Sequence, residues 1–328
     1  MTAFLTGATG FVGGHVLEAL LARGERVRCL ARDPSRLGPG AEVVPGDLRD
    51  TAAIRRAVRG CDVVYHCAAD YRLWVPDPLP MYESNVDGTR NVLAAAAEAG
   101  VRRVVYTSTV GALGLRADGE PGDERTAVRL EDMVGHYKRS KFLAERVAEE
   151  WSAKGVPVVI VHPSAPVGER DAKPTATGRM ILDFLRGRIR AYVDTGLNLV
   201  DVRDVAAGHL LAADKGRPGE KYILGNANRT LDEILAMLAQ ISGMPRPRVR
   251  LPHWVPLAAA TLSTRWAEWS GGQPRIELDA VLLARHRMFF DASKAVRELG
   301  LPQTPVEQAL ERAVAWFREA GSIPRVAA

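Results

Sequence analysis

The chain has only three cysteines in 328 residues, Cys29, Cys61 and Cys67, spaced neither as a disulfide framework nor as a metal-binding pair. Free thiols in a reducing cytosol follow, and no metal site is expected. Aromatic residues are sparse at 6%, and no apolar run reaches the length of a membrane span. Charge of one sign is not concentrated anywhere: 44 basic residues are scattered among 39 acidic ones, and the net charge is only +5. Nucleic acid is therefore not expected as a partner, and anionic small molecules suffice to account for the excess. No repeat or low-complexity tract occurs, and the first residues already read as a strand rather than a charged leader. A cytoplasmic location is expected, with peripheral contact at the cytoplasmic face of a membrane and a homodimer both left open.

Against these absences stands a hydrophobic content of 47%, enough for a full core in one large or two joined domains. Apolar strand patterns recur at Val43-Val44, Val63 to Cys67, Val104 to Tyr106 and Val158 to Val161, separated by alanine-rich helical segments such as Thr89 to Ala99. This alternation predicts an α/β fold of the Rossmann type, a doubly wound parallel sheet covered on both faces. After Pro163 the texture turns to proline, glycine and basic residues, and Lys221 to Leu224 reads as a strand returning to the main sheet. The expected division is a nucleotide-binding domain over 1–166, with 199–225 returning to it, and a smaller C-terminal substrate-binding lobe over 167–198 and 226–328.

The opening Thr2-Ala3-Phe4-Leu5-Thr6-Gly7-Ala8-Thr9-Gly10-Phe11-Val12-Gly13 breaks from a strand into three glycines at three-residue intervals and continues as a helix. Such a segment binds a dinucleotide: Gly7 permits the turn, Gly10 lets the backbone approach a pyrophosphate, and Gly13 lets the helix pack on the sheet. A second strand, Arg26 to Ala31, leads to Arg32-Asp33-Pro34-Ser35-Arg36, where the ribose should lie. Asp before Pro reads as a helix cap, which removes Asp33 from the cofactor and leaves Arg32, with Arg36 as a second cation, to pair with a 2′-phosphate. NADP is expected ahead of NAD.

Strand four ends in Tyr106-Thr107-Ser108-Thr109, at the sheet edge where open α/β proteins place ligands, and a hydroxyl there can hold a carbonyl. Downstream, a helical pattern sets Tyr137 and Lys141 four residues apart on one face. A nearby ammonium is expected to lower the tyrosine's pKa toward a useful acid/base range, and Lys141 can also bond the nicotinamide ribose.

The glycine turn, Asp47, Ala68-Ala69, the hydroxyls after strand four, and Tyr137 with Lys141, in that order, closely resemble the extended short-chain dehydrogenase/reductase family. Ala69 to Trp74, Gly135 to Glu145 and Ala191 to Val200 further resemble its hopanoid-associated sugar epimerase branch, which is similar to dihydroflavonol 4-reductases. The resemblance implies that Gly7, Gly10, Phe11, Val12, Arg32, Asp47, Leu48, Ala68, Ala69, Tyr137, Lys141 and Pro163 touch the cofactor. It implies that Thr109, Tyr137 and Lys141 carry the reaction, on a substrate linked to hopanoid synthesis. Threonine at 109 stands where many relatives have serine, and His162 precedes Pro163 where they often have asparagine or arginine.

The expected activity is hydride transfer between NADP(H) and a carbonyl or carbinol carbon, on a hopanoid-linked or sugar-like substrate, small-molecule or lipid-linked. Val110 to Leu113 offers no acid/base pair for a dehydratase. Two alternatives stand: an epimerase that retains its nicotinamide cofactor, and an inactive nicotinamide-sensing protein, against which the intact Thr109, Tyr137 and Lys141 argue. Tyr71, Trp74, Arg179, Tyr192 and Asn198 are candidates for the substrate pocket. The segment from His253 to Trp269 is rich in apolar and interfacial side chains; it reads as pocket or core lining, with membrane-surface docking as the alternative.

Overall fold

The computed structural model describes residues 1–270, 272–274 and 276–321. Six strands alternate with helices through the first half: β1 (Thr2–Thr6), β2 (Arg26–Ala31), β3 (Ala41–Pro45), β4 (Val63–His66), β5 (Arg103–Thr107) and β6 (Val158–Pro163). Between them lie α1 (Phe11–Ala22), α2 (Thr51–Val58), the short α3 (Leu79–Tyr82), α4 (Gly88–Ala99) and α5 (Gly135–Ala153). Later come β7 (Ala165–Val167), α6 (Ala176–Leu185), β8 (Ala191–Tyr192), β9 (Gly196–Asp201), α7 (Val202–Lys215), β10 (Lys221–Leu224) and β11 (Ala227–Thr230). The chain then runs through α8 (Leu231–Ser242), β12 (Val249–Arg250), α9 (Trp254–Ser270), α10 (Leu278–Leu283), β13 (Arg287–Met288), α11 (Ser293–Leu299) and α12 (Val306–Glu319).

The main sheet has the order β10-β6-β5-β4-β1-β2-β3, and every pairing in it is parallel. Parallel strands need crossovers, and the crossovers place helices on both faces, so strands such as β4 and β6 are buried along their whole length. On one face α1 and α7 pack over Leu5, Val105 and Val161 through Val16, Leu20, Val205 and Leu210. On the other, α2, α4 and α5 cover Phe4, Val64, Val104 and Ile160. The doubly wound parallel sheet expected from the alternation is the fold observed.

A smaller sheet is centred on β9, with β11 antiparallel and β13 and β7 parallel to it. Helices α6, α8 and α12 close a separate apolar core around it, including Ile181, Phe184, Leu235, Leu310 and Phe317. Residues 166 and 199, at the expected boundaries, fall inside β7 and β9 of this sheet. A two-stranded ribbon of β8 and β12 lies off it and leads into α9.

Candidate functional site

The turn after β1 is built as its glycines require. Gly7 has φ +79°, and a Cβ there would stand 2.7 Å from the Ala68 backbone nitrogen. A Cβ on Gly13 would stand 2.2 Å from the Gly7 carbonyl oxygen, so α1 can approach β1 only with glycine at that position. At Gly10 the nearest atom is that same carbonyl at 3.2 Å, and the outward side is open. Gly10 caps α1 with no side-chain partner, leaving first-turn N–H groups available to an anion. This cradle fits a dinucleotide phosphate. Phe11 is buried and Val12 half-buried behind it, and Ala68 and Ala69 follow β4 on the adjacent strand.

At the end of β2, Asp33 caps a short 3₁₀ turn with Pro34 at its first position, accepting from the Ser35 backbone N–H at 3.1 Å. Arg32 and Arg36 are exposed, and neither side chain has a hydrogen bond or ion pair among the described residues. Asp47, after β3, accepts from the backbone and side chain of Arg49 at 3.0 and 2.8 Å, which holds its carboxyl below the usual range. Leu48 is buried against α4, where a Cβ on Gly88 would meet it at 2.7 Å.

The first turn of α5 presents Tyr137 beside Thr109, and the next turn sends Lys141 under the sheet edge. Lys141 Nζ donates to the Thr107 carbonyl at 2.7 Å and to the Tyr106 hydroxyl at 3.1 Å, and its side chain is buried. Of the three ammonium protons, one remains for a ribose hydroxyl. Thr109 caps the following 3₁₀ turn, its Oγ accepting from Gly111 N–H at 3.1 Å, and its hydroxyl also bonds the Tyr137 phenol. Pro163 is buried at the end of β6, alongside.

The electrostatics differ from the expectation. Burial raises the Tyr137 phenol above its ordinary value, the Thr109 hydroxyl pulls it partly back, and Lys141 is not among the groups that move it. The lysine is turned toward Thr107 and Tyr106 instead. Burial lowers Lys141 itself to about 8, with Glu145 and Cys67 working against the shift. Tyr137 is thus a protonated acid near neutrality, suited to carbonyl reduction. Carbonyl-reducing kcat/KM is accordingly expected to fall as pH rises through about 8, where Lys141 loses its charge. A profile flat from pH 7 to 10, measured below saturation, would exclude Lys141 as the titrating group.

Two buried networks beneath the site were not foreseen. In one, the Thr6 hydroxyl lies 2.7 Å from His66 Nδ1, and His66 Nε2 lies 3.0 Å from Thr89 Oγ1. Thr89 also contacts Tyr106, which completes a path to Lys141. Burial pushes His66 down to about 3, so it stays neutral and serves as a spacer. In the other, Glu145, one turn beyond Lys141, accepts from Ser108 Oγ, contacts His162 Nε2 at 2.8 Å and pairs with Lys221 Nζ at 2.6 Å. Burial works to raise the Glu145 carboxyl, but His162 and then Lys221 outweigh it and hold it far below the usual range. The only sequence signal was Glu145 falling on the helix face already occupied by Tyr137 and Lys141.

The substrate candidates separate into two groups. Tyr71 is close enough to Tyr137 to act on its phenol, donates its own hydroxyl to the Lys173 carbonyl at 3.1 Å, and lies within the field of Arg179. Trp74 is half-buried in the same loop. Arg179 lines a cleft of about 360 Å³ together with Val193, His253, Pro256, Ile276 and Val281. Tyr192 and Asn198 are not part of this wall. Tyr192 donates to Asp232 at 2.6 Å, and Asn198 is buried with its amide bonded to Asn228, Asn226 and Phe290, holding the smaller sheet together. Asn198, expected in the substrate pocket, faces the smaller sheet's own core instead. Trp254, Leu262, Trp266 and Trp269 line neither pocket nor core: all four point to solvent.

The profile of the NAD dependent epimerase/dehydratase family matches residues 3–225. Over 98% of its length the chain is 46% identical to a Synechocystis sp. protein provisionally named dihydroflavonol 4-reductase, covering 95% of that protein. It is 39% identical to sterol demethylase protein B of Methylococcus capsulatus, over 98% of this chain and 100% of that one. Among solved structures it is similar to a nucleoside-diphosphate-sugar epimerase from Pseudomonas aeruginosa, with a TM-score of 0.81 and 28% identity over 98% of this chain and 99% of that one.

Proposed function

Since the chain belongs to the NAD dependent epimerase/dehydratase family, and so to the short-chain dehydrogenase/reductase enzymes, we propose that it is an NADP(H)-dependent oxidoreductase acting on a carbonyl or carbinol carbon of a polycyclic lipid or lipid-linked substrate. The observation that carries the chemistry is the placement of Thr109, Tyr137 and Lys141 at one sheet edge, next to a glycine turn whose outward face is open. A bound nicotinamide supplies the hydride, or accepts it. Gly7, Gly10, Phe11, Val12, Asp47, Leu48, Ala68, Ala69 and Pro163 would frame the cofactor, and Lys141 would hold its ribose. Thr109 Oγ orients the substrate oxygen, and Tyr137 Oη gives that oxygen its proton in reduction or takes it in oxidation. The lipid part of the reading is supported by the likeness to a protein named for sterol demethylation and by the apolar side chains of Val193, Pro256, Ile276 and Val281 in the cleft beside Arg179, whose lining is also partly polar.

Incubating the enzyme with NADPH deuterated at C4 and a polar-lipid extract tests this. Deuterium on a lipid carbinol carbon with net loss of NADPH is expected. Label held on the enzyme while a sugar-bearing substrate epimerises would instead favour the retaining epimerase, as the likeness to the Pseudomonas aeruginosa enzyme allows. Absence of transfer to any acceptor by NADPH-competent enzyme would favour a sensor.

The preference for NADP follows from Arg32 and Arg36 being unpaired while Asp33 is engaged with Ser35. A charged hydrogen bond is worth about 1.5 to 3 kcal/mol, so Arg32→Ala should weaken NADPH binding roughly tenfold or more and leave NADH nearly unchanged. Titrating both cofactors against both proteins checks it; equal losses for the two would sink the argument.

A further inference from the structure

Helix α9 carries its large apolar side chains on the wrong side for an ordinary surface helix. Trp254, Ala258, Leu262, Trp266 and Trp269 follow at intervals of four, four, four and three residues, which places them on one face. That face is the exposed one: Trp254 is 69%, Leu262 69%, Trp266 67% and Trp269 79% accessible. The opposite face packs inward through small residues, Ala260 and Ala267. Thr261 and Thr264 turn their hydroxyls onto the carbonyls of Leu257 and Ala260, so they add little polarity to the outside. Three tryptophans on one exposed ridge form an apolar patch of the kind that marks an interaction site.

The charges around the ridge narrow the partner. Arg265 lies within the stripe, and Arg248 and Arg190 immediately precede β12 and β8, the paired strands of the ribbon that leads into the first turn of α9. Arg285 follows α10, which packs on α9. None of these four arginine side chains has a hydrogen bond or ion pair among the described residues. Their neighbours differ: Arg246 is paired with Asp232, and Arg250 and Arg287 with Asp194. Indole rings flanked by guanidinium groups with no carboxylate partner among the described residues match the headgroup layer of an anionic bilayer, where tryptophan partitions and each cation meets phosphate. A second copy fits poorly, because a two-fold contact through this face would press Arg265 against its equivalent. A peptide helix would need a groove, and this surface is a ridge.

We propose that α9 docks the protein on an anionic lipid bilayer, with Trp254, Leu262, Trp266 and Trp269 among the headgroups and Arg190, Arg248 and Arg265 on lipid phosphates. The helix lies flat on the surface, since no helix among the described residues is long and apolar enough to cross a membrane. His253 and Pro256 of the same segment line the cleft that Arg179 borders, so docking sets that opening beside the bilayer. The docking does not depend on the proposed reaction; it would hold for a different substrate.

Flotation of the full-length protein with vesicles tests it, comparing phosphatidylglycerol mixed with phosphatidylcholine against phosphatidylcholine alone. The protein is expected to float with the anionic vesicles, less so in high salt, with a blue-shifted tryptophan emission. Trp266→Ser/Trp269→Ser and Arg190→Glu/Arg248→Glu should each lower the bound fraction at least about tenfold while keeping the melting temperature and NADPH affinity of the parent. No flotation by the parent, or flotation unchanged in the tryptophan variant, overturns the proposal. So does a parent dimer that the tryptophan variant converts to monomer without any lipid binding, which would assign the ridge to a second copy of the chain.

Discussion

Tyr137→Phe is expected to fold and to bind NADPH like the parent, and to lose about 10² to 10⁴ in turnover, the usual worth of general acid catalysis. The substitution removes one oxygen from a half-buried ring and leaves Lys141 bonded to Thr107 and Tyr106, so the loss should be confined to the chemical step. It should appear in kcat and kcat/KM together, because the proton is transferred only in the transition state. Turnover within a factor of about three of the parent would remove Tyr137 from the acid/base role. Retained hydride transfer with lost NADPH affinity would reassign it to cofactor binding.

Glu145→Ala should lower the melting temperature by about 10 °C, from a loss of roughly 3 to 5 kcal/mol. Glu145 is buried and is the common partner of Ser108, His162 and Lys221, which lie on or beside β5, β6 and β10. Deleting it strands a buried imidazole and a mostly buried ammonium. The sign of the pH effect follows from the carboxyl's direction: it is held below its unfolded value, so its stabilisation is complete above about pH 4.3 and is lost as pH falls further. The parent should therefore lose stability on acidification below that point more steeply than the variant. Glu145→Gln keeps an acceptor for Ser108 and should fall between the two. A melting temperature within about 2 °C of the parent would show that the network relaxes at little cost.

Much of this was legible because it is local. The glycine spacing after β1, the Asp33-Pro34 cap and the four-residue interval between Tyr137 and Lys141 are determined by residues close in sequence, and each appears where the pattern placed it. Lys221 to Leu224 joins the main sheet as its edge strand. What escaped depends on which surface meets which. Periodicity puts Trp254, Leu262, Trp266 and Trp269 on one face of α9, but it reads the same whether that face turns inward or outward. Asn198 was expected in the substrate pocket, but the partners that hold it in the smaller sheet, Asn228 and Phe290, are 30 and 92 residues away. The influence of Lys141 on Tyr137 failed for a related reason: four residues on a helix bring side chains near, while the Thr107 carbonyl on β5 decides where the ammonium points.

The position of Lys221 also bears on synthesis at the ribosome. When the first 166 residues have emerged, β6 is still an edge strand and Glu145 lacks Lys221. The face that α7 will cover still exposes Val105, Val159 and Val161, whose partners Val205, Leu210, Tyr222, Leu299 and Leu301 have yet to be made. The main sheet and its covering helices therefore do not mature before the C-terminal part of the chain is made. Their last core residue is added near position 301, and until then the nascent chain presents a sticky sheet to whatever chaperone stands at the exit tunnel.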